Sequence, residues 1–204
     1  AFAIVQGPEW GWGDPRVLAA IGIALAAGVT VVRRSARVPE PVLDLSLFRD
    51  RAFSLSLVVA VLFSMAFFAM FFGLVIFLDD GWGEPTGTAG LMVTPLLLTA
   101  SLLSFVGGRW ADRYGHRQVM VPGALLFALG ATLLAVLADS EPNAWLWFPS
   151  VLMLGFGVGA VYPSFQSAAV RNVPAERFGV ATAIVHTFSR TASTIAVAVG
   201  VALL

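Results

Sequence analysis

The chain alternates long apolar runs with short polar intervals, and the lengths of the apolar runs are the first information it yields. Five of them, residues 52 to 78, 89 to 108, 119 to 138, 145 to 170 and 180 to 204, reach the roughly 20 residues that a helix needs to cross about 30 Å of hydrocarbon. A sixth, "VLAAIGIALAAGVTVV" at residues 17 to 32, is shorter. It spans if Arg16 and Arg33 snorkel from its ends, and it lies along the interface if they do not. The pattern predicts an all-α, polytopic membrane protein with about six transmembrane helices.

The polar intervals alternate in sign. Ten of the twelve arginines fall in three of them: Arg33, Arg34, Arg37, Arg49 and Arg51 before the second span, Arg109, Arg113 and Arg117 between the third and fourth, and Arg171 and Arg177 before the last. The other intervals, "QGPEWGWGDPR", "DDGWGEPTGT" and "DSEPNAW", hold seven acids and one arginine. The positive-inside rule places the arginine-rich loops in the cytoplasm of a multi-pass protein of the cell membrane. The alternation supports six crossings, because losing the first would put "QGPEWGWGDPR" on the same face as "RRSARVPEP".

Composition agrees with this reading. Of 204 residues, 58% are hydrophobic and 12% charged, far from the roughly 25% charged residues of a soluble domain. A formal net charge of zero offers no field for nucleic acid. The absence of cysteine excludes disulfides and thiolate chemistry. The chain starts with "AFAIV", without a signal-peptide layout, and stops inside "IAVAVGVALL", which reads as a fragment of a larger membrane protein. Its expected organisation is the end of a truncated helix plus an external loop over 1–16, a transmembrane helix over 17–32, a cytoplasmic loop over 33–51, and a five-helix remainder over 52–204.

Polar groups inside a bilayer are costly, which makes them the first candidates for function. His186 and Arg190 are four apart in the last span and share one helical face with Thr182 and Thr194. That stripe either lines a cavity or lets Arg190 pair with a carboxylate or with carbonyls at a helix break. Cavity lining is preferred, because a buried arginine without a water path is expensive. Gln166 is a further cavity-lining candidate, or else it satisfies backbone groups freed by Pro163. Asp79 and Asp80, at the external end of the second span, are either gate residues or solvated loop acids.

"GFGVGAVYP" places Gly155, Gly157 and Gly159 in mid-span. A phosphate loop would need a strand, a turn and a helix N-terminus, so the glycines are read as sites of close helix approach. No enzyme constellation stands out: the two histidines lie on different elements without a second ligand at metal spacing, and no nucleophile elbow is present. No cofactor or metal is expected.

One polar interval is a motif. Gly108, Ala111, Asp112, Arg113, Gly115 and Arg117 in "GRWADRYGHRQVM" resemble the G-x-L-A-D-R-x-G-R-K-x-x-L pattern, called motif A, of major facilitator superfamily transporters. Trp110 stands at a usual leucine, His116 at the first basic position and Met120 at the final apolar one. The order "GPEWGWGDP", an apolar span, "PEPVLDLSLFRDRAF", "AGLMVTP" and "VPAERFGVATAIVHTFSR" resembles the fourteen-helix drug:proton antiporter group over essentially the whole chain. On that resemblance residues 17 to 204 correspond to helices eight to thirteen. These are a linker helix and most of the C-terminal half, with the N-terminal half and helix fourteen missing. Asp79 stands where the group has glutamine. The group's N-T-x-R-Q run appears as "HTFSR", with His186 at the asparagine position and Arg190 one residue late.

The resemblance implies a secondary active transporter, exporting hydrophobic or cationic drugs in exchange for protons by alternating access. Its partners would be the bilayer, a small molecule, protons and the missing half of the same chain. An importer or sensor of a small solute is the alternative, and a membrane-embedded enzyme or structural subunit a more distant one. Motif A would act as a conformational latch. With Gly108 in the motif, Gly115 permits a tight turn, Asp112 accepts hydrogen bonds at a helix N-terminus or pairs with an arginine, and Arg113 and Arg117 anchor it at the anionic leaflet.

Overall fold

The computed structural model describes residues 10–11, 13–35, 45–137 and 143–202. The described residues form six α-helices and no strand: α1 (Pro15–Ser35), α2 (Arg51–Ile76), α3 (Thr86–Tyr114), α4 (His116–Leu137), α5 (Ala144–Val170) and α6 (Phe178–Ala202). A 3-10 turn, Leu45–Arg49, precedes α2, a π turn, Phe77–Gly81, ends it, and a second 3-10 turn, Ala175–Arg177, precedes α6. The expected end of a preceding helix, at residues 1 to 5, lies outside the described residues, as do 203 and 204.

Among the described residues four segments are long and apolar enough to cross a membrane: Arg51–Gly81, Thr86–Tyr114, His116–Val136 and Trp145–Val170. α1 contributes a shorter apolar stretch, Pro15–Thr30. α6 is 25 residues long but falls outside this group, because its threonines, His186 and Arg190 dilute its apolar character.

The chain divides into two compact units, Ala1–Ala69 with Ala169–Leu204, and Met70–Ala168. Both cuts fall inside helices, α2 and α5.

In the first unit, Asp50 caps α2. Its Oδ1 accepts from the amides of Ala52 at 2.6 Å and Phe53 at 3.3 Å, occupying donors that the first helical turn leaves unpaired. The Ala52 amide holds the Asp50 carboxyl below its ordinary value of 3.8; burial opposes this, and the Asn172 side chain and the Phe53 amide assist it. Phe48 packs edge-on against Phe53 and Phe188, with centroids 5.6 and 6.3 Å apart, and Arg177 donates to Ser46 Oγ at 3.2 Å. The segment before α2 is thereby fastened to α6 and to the turn that precedes it.

The second unit is built around α5. Half of its apolar window is buried, against 22% for each of the other three spans, so α5 is the central helix. The reason is its glycines. A methyl on Gly155 would lie 2.6 Å from the Leu96 carbonyl oxygen, and one on Gly159 would lie 2.7 Å from that of Ala100, both on α3. Gly157 faces the other way, where a methyl would meet Phe127 Cβ at 2.6 Å and the Gly123 carbonyl oxygen at 2.7 Å on α4. The partners reciprocate: Gly107 of α3 abuts the Gly159 backbone, and Gly130 of α4 that of Ser150. Such backbone contact is how helices gain van der Waals energy where lipid removes the hydrophobic driving force. Leu102 and Phe105 of α3 and Leu125 and Leu129 of α4 stay exposed as lipid-facing surface.

At the acidic end, Trp147 is 1% exposed and donates Nε1–H to the Met92 carbonyl at 3.0 Å. Its ring packs on Trp82, with centroids 5.1 Å apart, and lies near-parallel to Phe77 at 6.4 Å, closing the π turn over α5.

Gly157→Ala is expected to lower stability by about 1–3 kcal/mol through overpacking, measured by unfolding in mixed micelles. Gly90→Ala, where a methyl meets nothing within 4 Å, is the silent control. For Asp50, a depressed carboxyl stabilises α2 above its ordinary titration range, and that contribution is lost as pH falls through the depressed value. Hydrogen-exchange protection at Ala52 and Phe53 should therefore drop on acidification in the native chain and stay level in Asp50→Asn, since asparagine also caps.

Candidate functional site

The expected charged loop at residues 107–118 is not a loop. α3 continues through Arg109, Asp112 and Arg113 to Tyr114, and α4 begins at His116. A 29-residue helix is about 43 Å long and outruns the hydrocarbon thickness, so the charges ride on helix emerging from the apolar layer. Gly115 alone makes the reversal, at φ 98 and ψ 142, a region essentially reserved for glycine. Its amide donates to the Ala111 carbonyl at 2.9 Å, and its own carbonyl accepts from Gln118 at 3.1 Å.

Asp112, Arg113 and Arg117 are exposed, and no ion pair joins them among the described residues. Arg113 lies over the Tyr114 ring at 5.5 Å and Arg109 over Phe105 at 4.3 Å, contacts that hold a guanidinium against an aromatic face. Gly108 has room, since a methyl there would meet Pro163 Cβ at an ordinary 3.8 Å. Two contacts that the motif pattern does not announce fasten this turn to α5. Gly107 is buried against the Gly159 carbonyl, 2.7 Å from where its methyl would be, and His116 Nε2 hydrogen-bonds Ser167 Oγ at 2.7 Å. Behind the turn an apolar cavity of about 170 Å³ is lined by Gly107, Trp110, Gln118, Pro122, Gly123 and Phe156, among others.

In the same unit Asp79 and Asp80 stand exposed on the π turn that ends α2. Gln166 is half-buried on α5 and makes no hydrogen bond to a described residue, so it does not satisfy the backbone group freed by Pro163.

α6, in the first unit, has two sharply different faces. Ala181, Ile184, Val185, Ala192 and Ala196 are buried, whereas Thr182, His186, Arg190 and Thr194 are all exposed. Thr187 and Thr191 widen the exposed polar face; the i, i+4 stripe omitted them, although they sit one position further round the same helix. Thr187, Thr191 and Thr194 donate their hydroxyl hydrogens to the carbonyls four residues back, at 2.7, 2.8 and 2.8 Å, leaving lone pairs outward. Neither His186 nor Arg190 is paired with a described residue. On the buried side Ser193 Oγ donates to the Ser189 carbonyl at 2.7 Å, and Ser189 Oγ has no hydrogen-bond partner among the described residues.

Apolar spanning helices interlocked through glycine, a basic turn closed by Gly115 and a helix with one polar face define a multi-pass membrane protein. The family profile described as Major Facilitator Superfamily matches residues 7–197, and the chain belongs to that family. It is 29% identical over 203 residues to the multidrug resistance protein Stp of Mycobacterium tuberculosis, covering 97% of this chain and 36% of that protein. It is 31% identical over 182 residues to the tetracenomycin C resistance and export protein of Streptomyces glaucescens, covering 88% and 33%. With the lincomycin resistance protein LmrB of Listeria monocytogenes it shares 26% identity over 204 residues, covering 100% and 43%. The chain thus spans well under half the length of these relatives.

Gly115→Ala and Gly107→Ala should each destabilise the helix reversal, by about 1–3 kcal/mol for the strained backbone of the first and the overpacking of the second. Gly108→Ala should be near neutral although Gly108 belongs to the motif. Thermal unfolding of the three variants side by side checks the order, and equal losses at 107 and 108 would refute the packing argument.

Proposed function

We propose that this chain is the C-terminal part of a secondary active transporter of the cell membrane that exports small, largely hydrophobic compounds in exchange for protons. The observation that carries the reading is the open polar face of α6. A charged side chain facing lipid near the bilayer centre costs at least about 2.5–3.5 kcal/mol, so Arg190 belongs against a water-filled cavity. The remaining cavity wall would come from an N-terminal half. The names of the relatives, all three of resistance proteins and one of them also of an export protein, support the outward direction. The charge alternation supports cytoplasmic placement of the Arg109–Arg117 turn.

In this reading Thr182, His186, Arg190 and Thr194 line a cavity wall; in the other unit Gln166 is a separate cavity-lining candidate, and Asp79 and Asp80 are external gate candidates. Asp112, Arg113 and Arg117 form the latch together with Gly108 of the same motif, and Gly115 makes its turn. A charge cluster that closes in one conformation and opens in the other biases the equilibrium by the difference in its contacts. Asp112 stands exposed and makes no ion pair among the described residues, as an acid waiting for a partner in the other state would.

The test uses the full-length transporter in proteoliposomes of known orientation. Export should stop when the proton gradient is collapsed, and Asp112→Asn should slow it roughly fivefold or more, the scale of a 1 kcal/mol bias. Export that survives collapse of the gradient refutes proton coupling, and net uptake of the same compound under the gradient refutes the direction.

A further inference from the structure

We infer that the open face of α6 is an anion subsite: Arg190 anchors an ionised acid group on the transported compound, and the flanking threonines receive hydrogen bonds from its neighbouring donors. This rests on the transporter reading above and names a substrate class for it. Three observations point to an anion.

The first is the charge inventory of the spans. Every one of the twelve acidic residues lies in a polar interval or, as Asp112 does, in an emerging helix end, and α6 itself contains none. Arg190 is therefore a cation that no carboxylate on its own helix neutralises, on a face that His186 can only make more positive.

The second is the type of group on offer. Guanidinium presents a planar fork of donors matched to carboxylate or sulfonate oxygens, and His186, one turn earlier on the same exposed face, adds a ring nitrogen able to donate.

The third is the state of the hydroxyls. Because Thr187, Thr191 and Thr194 spend their hydrogens on the backbone of α6, their outward capacity is to accept. The face thus combines a fixed cation with a row of acceptors. An amphipathic acid carrying hydroxyl or amide donors beside its charge fits both, whereas a cationic compound meets repulsion at Arg190.

The experiment uses two dyes that share a scaffold, 8-anilinonaphthalene-1-sulfonate and neutral N-phenyl-1-naphthylamine, with cationic ethidium as the third probe. Binding to the purified full-length transporter is read by fluorescence and movement in proteoliposomes. The sulfonate should bind the native protein more tightly than ethidium. Arg190→Gln should weaken sulfonate binding about tenfold or more, the scale of a lost hydrogen bond to a charged group, and leave the neutral dye within about twofold. Arg190→Lys, which keeps the charge but loses the planar fork, should bind the sulfonate more tightly than Arg190→Gln and less tightly than the native protein, and Thr191→Val should weaken binding only of acids bearing an adjacent donor.

Equal loss of both naphthyl dyes in Arg190→Gln, or sulfonate binding that ignores the substitution, overturns the subsite, and Arg190 then serves a protein carboxylate. Selective, Arg190-dependent sulfonate binding without movement of any probe leaves the subsite standing and removes the transport reading. Movement of ethidium and the neutral dye with sulfonate indifferent to Arg190 does the reverse.

Discussion

Backbone-to-backbone contact between α5 and its two neighbours is the constraint on which the second unit depends. In lipid, leucine gains nothing by leaving hydrocarbon for protein, so helices associate through close packing instead. α5 achieves it by alternation: Gly155 and Gly159 admit the carbonyl ridge of α3, and Gly157 between them admits α4. The same approach brings Gly107 of α3 onto the Gly159 backbone and places His116 within bonding distance of Ser167. The basic turn is thus seated on α5 by helix packing and not by its charges. A shift of α5 relative to α3 would be felt at the turn directly.

Polar groups obey a complementary rule. Several charged and polar groups among the described residues lie against a specific partner. Arg109 and Arg113 rest on aromatic rings, Asp50 spends its carboxylate on helix amides, and buried Trp147 finds the Met92 carbonyl. α6 departs from this rule on its exposed side, where Arg190 and His186 have no described partner. Its inner face, by contrast, carries small residues such as Ala181, Ala192 and Ala196 that pack closely. One helix therefore does two jobs, holding the unit together on one side and presenting unsatisfied chemistry on the other.

The apolar runs were legible because the bilayer imposes a length on them that no soluble fold does, and the Thr182, His186, Arg190 and Thr194 row because helical period alone places those residues on one face. Other features were not legible. Charges at 109 to 113 signal the membrane edge, yet a helix need not stop where the hydrocarbon does, and α3 carries them outward to Tyr114. Gly107 and Gly108 are indistinguishable by type; only the position of α5 decides that the first is pressed against a carbonyl and the second has space. Thr187 and Thr191 lay one step outside a four-residue spacing, and it took the buried side of α6 to show how wide its exposed side is.

Sequence by itself determined the solvent, the helices and the sign of each connection, because hydrophobic length and charge asymmetry act locally along the chain. Tertiary structure decided which glycine touches which carbonyl, how tightly the basic turn is seated and which half of α6 remains open. These depend on the approach of segments distant in sequence, and a pattern read along one chain contains no term for the distance between two helices.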